Sequence, residues 1–87
     1  IYKGMASAYS GLGYWQKSYE YTKKCFDIDP DKTNLSIIDI ANPYWDKPSL
    51  YKSGINYFNA MKKLYPNIWW IQKNINSLSK KIEFQNR

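Results

Sequence analysis

The segment from Gly13 to Pro30 constrains the fold of this chain more strongly than any other segment. Its apolar and small side chains recur at helical spacing, which places them on one face of an α-helix. These side chains belong to Trp15, Ser18, Tyr19, Thr22, Cys25 and Phe26. A proline ends the pattern because its ring clashes with the preceding turn of a helix. The segment therefore predicts a helix over about residues 14–28.

A similar pattern lies just before this segment. It consists of Tyr2, Met5, Ala6, Tyr9 and Leu12. Gly11 and Gly13 interrupt it, because glycine readily adopts the left-handed conformation that ends a helix. Two helices of about three turns each, joined by so short a turn, must lie antiparallel and pack together. Residues 1–30 are therefore predicted to form a helical hairpin.

A helix, a glycine-containing turn, a second helix and a terminal Asp-Pro together resemble the tetratricopeptide repeat (TPR), a helical repeat of about 34 residues. The residues that match this family, or stand in for its aromatic and small residues, are Tyr2, Ala8, Tyr9, Gly13, Trp15, Ser18, Cys25, Ile28, Asp29 and Pro30. Met5 and Ala6 replace the family's Leu-Gly pair, and Thr22 stands where a large aromatic is usual. The resemblance implies an α-α superhelix that binds other proteins.

The hairpin pattern recurs in a weaker form over residues 31–66. Pro66 follows Pro30 by 36 residues, which is close to the period of the family. The stripe of the second helix consists of Tyr51, Gly54, Ile55, Phe58, Met61 and Tyr65, with Asp46 as the expected N-cap and Pro48 in the first turn. This repeat is expected to be degenerate.

The degeneracy lies in the first helix of this second repeat. Leu35, Ile38 and Ala41 cover barely two turns, and Pro43 predicts a loop over residues 42–47. A last helical pattern begins after Asn67 and carries Ile68, Ile71, Ile75, Leu78 and Ile82 on one face. Its other face is polar, as expected of a capping helix over residues 67–87.

These patterns predict one all-α domain over residues 1–87, built from antiparallel helical hairpins as a TPR-like fragment of about five helices. Because the sequence begins at Ile1 rather than methionine, we expect it to be part of a longer chain. The longest apolar run, residues 68–71, is too short to span a membrane. A single cysteine, Cys25, suits a reducing compartment, so a cytoplasmic location is expected.

Catalysis is not expected of these residues. The chain has no histidine, so the commonest general base and metal ligand is missing. Cys25 lies on the apolar stripe and has no histidine to activate it. Asp27, Asp29 and Asp31 alternate as at the start of a calcium-binding EF-hand loop, but Lys32 stands where that loop requires glycine. We expect neither a cofactor nor a metal.

The resemblance implies a scaffold or adaptor function, with a peptide or partner protein on a concave face formed by first helices. The candidate binding residues are Lys3, Ser7, Ser10, Trp70 and Lys73. Lys3 and Lys73 correspond to lysines with which one TPR group grips a C-terminal carboxylate, which favours an acidic partner; Ser7 departs from that group's asparagine. Trp69 and Trp70 cannot both face one core, and the sequence leaves open which of them is exposed.

Two other functions remain open. Residues 47–87 carry eight lysines or arginines against Glu83 alone, a net charge of +7, whereas the whole chain has +6. A basic helical domain that binds RNA or another polyanion is therefore the second hypothesis. However, Lys, Asn, Ile and Tyr make up nearly half of the chain, as is typical of an AT-rich genome. The third hypothesis is a structural appendage of a larger enzyme.

Overall fold

The computed structural model describes residues 1–85, with the side chains of residues 32–35 outside the description. Within that part the chain contains no strand. It forms α1 (Tyr2–Gly11), α2 (Trp15–Ile28), α3 (Pro30–Asp46), α4 (Tyr51–Leu64) and α5 (Trp70–Gln85), with a 3-10 turn at Pro48–Leu50. The predicted all-α fold of helical hairpins is confirmed.

The first hairpin consists of α1 and α2. Gly13 adopts φ +79° in the turn between them, a conformation that favours glycine. Helix α2 buries Ser18, Thr22 and Phe26, as its stripe predicts. Helix α1 buries only Ala6 and Ser10. The prediction that the large side chains of α1 form its core stripe is wrong, because α2 and α3 cover only part of its circumference.

Helix α3 differs most from the prediction. No loop forms over residues 42–47, because the helix continues through Pro43 to Asp46. Proline removes one hydrogen bond from the helix. That loss is offset by the burial of Tyr44, whose ring lies 5.4 Å from the ring of Tyr57, and by Trp45, whose ring lies 5.5 Å from that of Phe58.

The register of α3 also differs from the predicted one. Ile37 and Ile40 are buried, whereas Ile38 is exposed and Leu35 lies outside the described side chains. Asp46 ends α3 instead of capping α4; Lys47 is the N-cap of the 3-10 turn that Pro48 begins. Pro48 therefore lies in the 3-10 turn that precedes α4 rather than in the first turn of α4, and the N-cap prediction for Asp46 is wrong.

The second hairpin, α3 and α4, stacks on the first. Helix α3 packs against α1 and α2, α4 packs against α2, and α5 covers α4 and the 3-10 turn. Ile71, Ile75 and Leu78 of α5 are buried, as predicted. A Cβ atom at Gly54 would lie 2.7 Å from Tyr44 Cβ, so glycine lets α4 approach α3 closely. Within the described residues, no helix combines the length and apolarity needed to cross a membrane.

Candidate binding surfaces

The predicted binding residues do not all lie together on one exposed face of the structure. Ser10 is fully buried, and its Oγ lies 2.7 Å from Ser18 Oγ where α1 and α2 cross. The prediction that Ser10 lines a binding face is therefore wrong, because its small side chain serves the close approach of the two helices. Lys3 is exposed and forms an ion pair with Asp39 of α3 at 3.1 Å, and Ser7 is half-buried beside it on α1.

The other two predicted residues lie on α5. Lys73 is exposed, and α5 packs mainly against α4 rather than against the helix that carries Lys3. Trp70, the predicted binding residue, is half-buried and packs against the core, so of the two tryptophans it is the less exposed one. Trp69 is 75% exposed and is the tryptophan that a partner could reach. It precedes the first turn of α5, where no other helix covers it.

An aromatic surface covers one side of the first hairpin. Four tyrosine rings follow one another along it, and we call this surface the tyrosine flank: Tyr2, Tyr21, Tyr9 and Tyr14. Successive ring centroids lie 6.0, 5.7 and 6.2 Å apart, and the middle pair is nearly parallel at 9°. Tyr14 is 58% exposed, Tyr2 is exposed, and the other two are half-buried. The flank is therefore a continuous aromatic surface in contact with solvent.

Part of the tyrosine flank lies on the side of α1 that points away from α3. Residues two positions apart in a helix point in nearly opposite directions. Since Lys3 contacts Asp39 of α3, Met5 points away from α3, and it is exposed at the edge of the flank. Much of the flank is therefore open to solvent, and at its Tyr2 end it adjoins a groove that Ser36 of α3 also lines.

A positive charge lies over the tyrosine flank. The Nζ atom of Lys24 lies 4.9 Å from the ring centroid of Tyr21 and 5.4 Å from that of Tyr2, which is cation–π geometry. Glu20 forms its ion pair with Lys23, at 3.1 Å, and α1 contains no acidic residue. A partner with a carboxylate at this position would therefore meet a cation.

One end of the flank opens into a groove of about 480 Å³ beside the start of α1. Its lining includes Tyr2, Cys25 and Ile28. Burial raises the pKa of the Cys25 thiol, against the smaller opposing effects of the N-terminus and Lys3. A raised pKa keeps the thiol protonated and unreactive near neutral pH. The groove therefore adds apolar surface beside the flank, together with the charged side chains of Lys3 and Asp29, and Cys25 is not an activated nucleophile there.

Helices α2 and α4 are equivalent parts of the two hairpins. Both have 14 residues, α4 begins 36 residues after α2, and Pro30 and Pro66 follow them at the same distance. This register places Tyr57 of α4 in the position that Tyr21 has in α2. Tyr57 is fully buried, and its hydroxyl lies 2.9 Å from Thr22 Oγ1 of the first hairpin. The second hairpin therefore buries completely, against the first hairpin, a position that is only half-buried in the first hairpin.

The hydroxyl contact between the hairpins has a defined direction. Thr22 Oγ1 donates to the carbonyl oxygen of Ser18 at 2.8 Å, which uses its only proton. The hydroxyl of Tyr57 must then donate to Thr22. Burial raises the pKa of Tyr57, so the donor proton is retained across the physiological range. The contact joins α4 to α2 through an ordered pair of hydrogen bonds.

A second group of buried hydroxyls lies near Ser10 and Ser18. The Tyr44 hydroxyl is buried beside these two serines but makes no hydrogen bond of good geometry within the described residues. Burial raises the pKa of Tyr44 as well. Tyr44 could not be predicted as a core residue from the sequence, because Pro43 predicts a loop there. Tyr57 was not among the predicted core residues either, although the spacing of Gly54, Tyr57, Phe58 and Met61 is helical.

Comparison with known proteins gives no match. No family model, no curated protein and no solved structure matches this chain. The equivalence of the two hairpins and the exposed tyrosine flank are therefore the features from which a function can be argued.

Proposed function

We propose that the protein is a protein-interaction module of the TPR type and that the tyrosine flank is its binding surface. The partner is a helical hairpin that stacks on the flank as the second hairpin stacks on the first. One observation carries this proposal: Tyr21 is only half-buried at the position where Tyr57 is fully buried between hairpins. The TPR resemblance supports the same function but does not define the surface.

The composition of the flank suits a protein partner. Tyrosine and methionine are enriched in the cores of protein interfaces, and tyrosine buries a large area at a small entropic cost. Exposed side chains of both kinds lie together on this one side of the hairpin, as Tyr2, Tyr14 and Met5 show. A contiguous exposed apolar surface of this kind typically marks an interaction site.

The equivalent contact in the chain also indicates the chemistry of the partner. Opposite Tyr57, the first hairpin supplies the hydroxyl of Thr22. By the same geometry, a partner hairpin would place a small hydroxyl side chain opposite Tyr21. The positive charge of Lys24 would in addition favour a carboxylate near it. The proposal assigns no catalytic role to these residues. A role as an appendage of a larger enzyme would use the same flank, against another part of that enzyme.

The experiment that tests this proposal extends the chain by one hairpin. A copy of residues 1–36 placed ahead of Ile1 repeats the 36-residue offset between α2 and α4. If the flank accepts a hairpin, the extended chain should unfold at a higher temperature, because stacked repeats stabilise their neighbours. The amides of the original α2 should also exchange more slowly with solvent.

A matched variant separates stacking from added length. Tyr21 packs partly against the core, so Tyr21→Glu should destabilise both chains; it should cost more in the original hairpin of the extended chain than in the unextended chain, and the difference measures stacking on the flank. An extended chain that is no more stable, with unchanged exchange in α2, would contradict the proposal. Sedimentation of the unextended chain tests the alternative occupant: a concentration-dependent dimer that Tyr21→Glu abolishes would mean that a second copy, rather than a distinct partner, covers the flank.

A further inference from the structure

A second groove lies between the start of α4 and the end of α5. It has a volume of about 370 Å³ and is lined by Pro48, Tyr51, Lys81, Phe84 and Gln85. The Nζ atom of Lys81 lies 5.7 Å from the ring centroid of Tyr51, and Phe84 is 75% exposed. Two aromatic rings and a lysine therefore share one groove, a combination that suits a flat, anionic ligand.

The outer face of α5 continues from this groove along the helix. Lys73, Asn76 and Lys80 are exposed and follow one another at the spacing of a single helix face. Trp69, which is 75% exposed, lies four residues before Lys73. Trp69 and Phe84 are separated by about 22 Å along the helix axis, at a rise of about 1.5 Å per residue. The face therefore has an exposed aromatic ring at each end and lysines between them; we call it the α5 face.

The charge around the α5 face is not balanced by acidic residues. Helices α4 and α5 contain six lysines and one acidic residue, Glu83. The lysines are Lys52, Lys62, Lys63, Lys73, Lys80 and Lys81. Both ion pairs among the described residues lie within α1, α2 and α3, and Lys62 contacts the neutral side chain of Gln72. The unbalanced charge attracts a polyanion.

We propose that the α5 face binds single-stranded nucleic acid. An unpaired base stacks in the groove between Tyr51 and Phe84, phosphates contact Lys80, Lys81 and Lys73, and Trp69 stacks on a further base. An acidic peptide would satisfy the lysines equally well, but it would have no planar group for the exposed rings at both ends of the face. Proteins that bind single-stranded nucleic acid without sequence preference typically combine aromatic rings and lysines on one surface.

The test uses the whole chain and a fluorescently labelled oligothymidylate, titrated by fluorescence anisotropy at several salt concentrations. If three lysines each neutralise one phosphate, the slope of log affinity against log salt should be about −2, at about −0.7 per phosphate. Lys73→Gln with Lys80→Gln should make this slope less steep by about 1.4. The matched control is Lys17→Gln with Lys23→Gln on α2, which removes the same charge and should leave the slope unchanged.

Stacking is tested separately with Phe84→Ala. Loss of one stacked base costs about 1–3 kcal/mol, which corresponds to an affinity loss of about fivefold to more than a hundredfold. The side chain is exposed, so the variant should keep its melting temperature. Absence of oligothymidylate binding at low salt would overturn the proposal. So would an equal effect of the α2 control, or poly-glutamate binding as tightly as oligothymidylate with no effect of Phe84→Ala. Tyr21→Glu should not change the affinity, which keeps this test independent of the tyrosine flank.

Discussion

Replacing Tyr57 by phenylalanine is expected to lower the free energy of unfolding by about 1 kcal/mol. The change removes only the hydroxyl that donates to Thr22 at 2.9 Å. Thr22 keeps its own hydrogen bond to the carbonyl of Ser18, so no buried donor is left without a partner. The phenylalanine ring would retain the contacts of Tyr57 with Tyr44 and Phe58, both at 5.4 Å between centroids. The loss is therefore the net value of one hydrogen bond, without a cavity.

Removing the other partner of this bond is expected to cost more. Thr22→Val keeps the shape of the side chain but can neither accept from Tyr57 nor donate to Ser18. The fully buried hydroxyl of Tyr57 then lacks an acceptor, and an unpaired buried donor costs about 1–3 kcal/mol. Thr22→Val should therefore destabilise the fold by about 2–3 kcal/mol. The double variant should lose less than the sum of the two, because phenylalanine removes the unpaired hydroxyl.

The assay is urea denaturation followed by far-UV circular dichroism, with midpoints compared at a common slope. Tyr14→Phe is the matched control, because it removes the same hydroxyl at a position that is 58% exposed, and it should change stability by less than about 0.5 kcal/mol. Equal losses for Tyr57→Phe and Thr22→Val would refute the donor direction. A Tyr57→Phe effect no larger than the Tyr14→Phe effect would mean that this bond does not hold the hairpins together.

Three further predictions follow from the packing. Gly54→Ala should destabilise the fold by about 1–3 kcal/mol in urea denaturation, because the new Cβ would lie 2.7 Å from Tyr44 Cβ. Gly4→Ala is the control: a Cβ at this position meets no atom within 4 Å, so the change should stabilise the fold by about 0.5–1 kcal/mol. Burial raises the pKa of Tyr57 above its unfolded value, so the stability it contributes is present below about pH 10 and is lost as the pH rises further; pH-dependent melting of Tyr57→Phe should show a smaller alkaline loss. Pro43→Ala should raise the melting temperature, because it restores a helical hydrogen-bond donor inside α3.

The helices with a complete apolar stripe could be predicted from the sequence. In α2 and α5 the stripe is buried largely as its spacing indicates, since the neighbouring helices pack on the face that the helical periodicity makes apolar. Helix α4 was predicted from the same signal, and Gly54 lies where its stripe required a small residue. For these elements the pattern and the packing agree.

Helix α3 could not be predicted in the same way. Pro43 carries a strong local signal against a helix, and only the packing of Tyr44 and Trp45 against α4 outweighs it. That packing joins residues distant in the sequence, so no local pattern reports it. The register of α3 was wrong for the same reason, since Ile38 and Ile37 are adjacent and only a neighbouring helix decides which is buried.

The exposure of the tyrosine flank could not be predicted, for a different reason. Tyr2 and Tyr9 are seven residues apart, as are Tyr14 and Tyr21, so each pair shares a helix face. An apolar stripe in the sequence indicates that one face of a helix is apolar, but it does not indicate whether another helix covers that face. In α1 the apolar stripe therefore predicted a core, whereas the structure leaves much of it exposed. The predicted binding residue Ser10 was wrong because the small residues of α1 face α2 instead.

The two ends of the helix stack differ in a way that limits how the module can assemble. The first hairpin ends in tyrosines with Lys24 lying over them, whereas α5 ends the stack with an exposed face that carries Lys73 and Lys80. Head-to-tail stacking of two copies would bring these lysines toward each other, and like charges across an interface disfavour it. A partner hairpin with carboxylates meets no such repulsion at the flank. The charge distribution therefore favours a distinct, acidic partner for the tyrosine flank over a filament of identical copies.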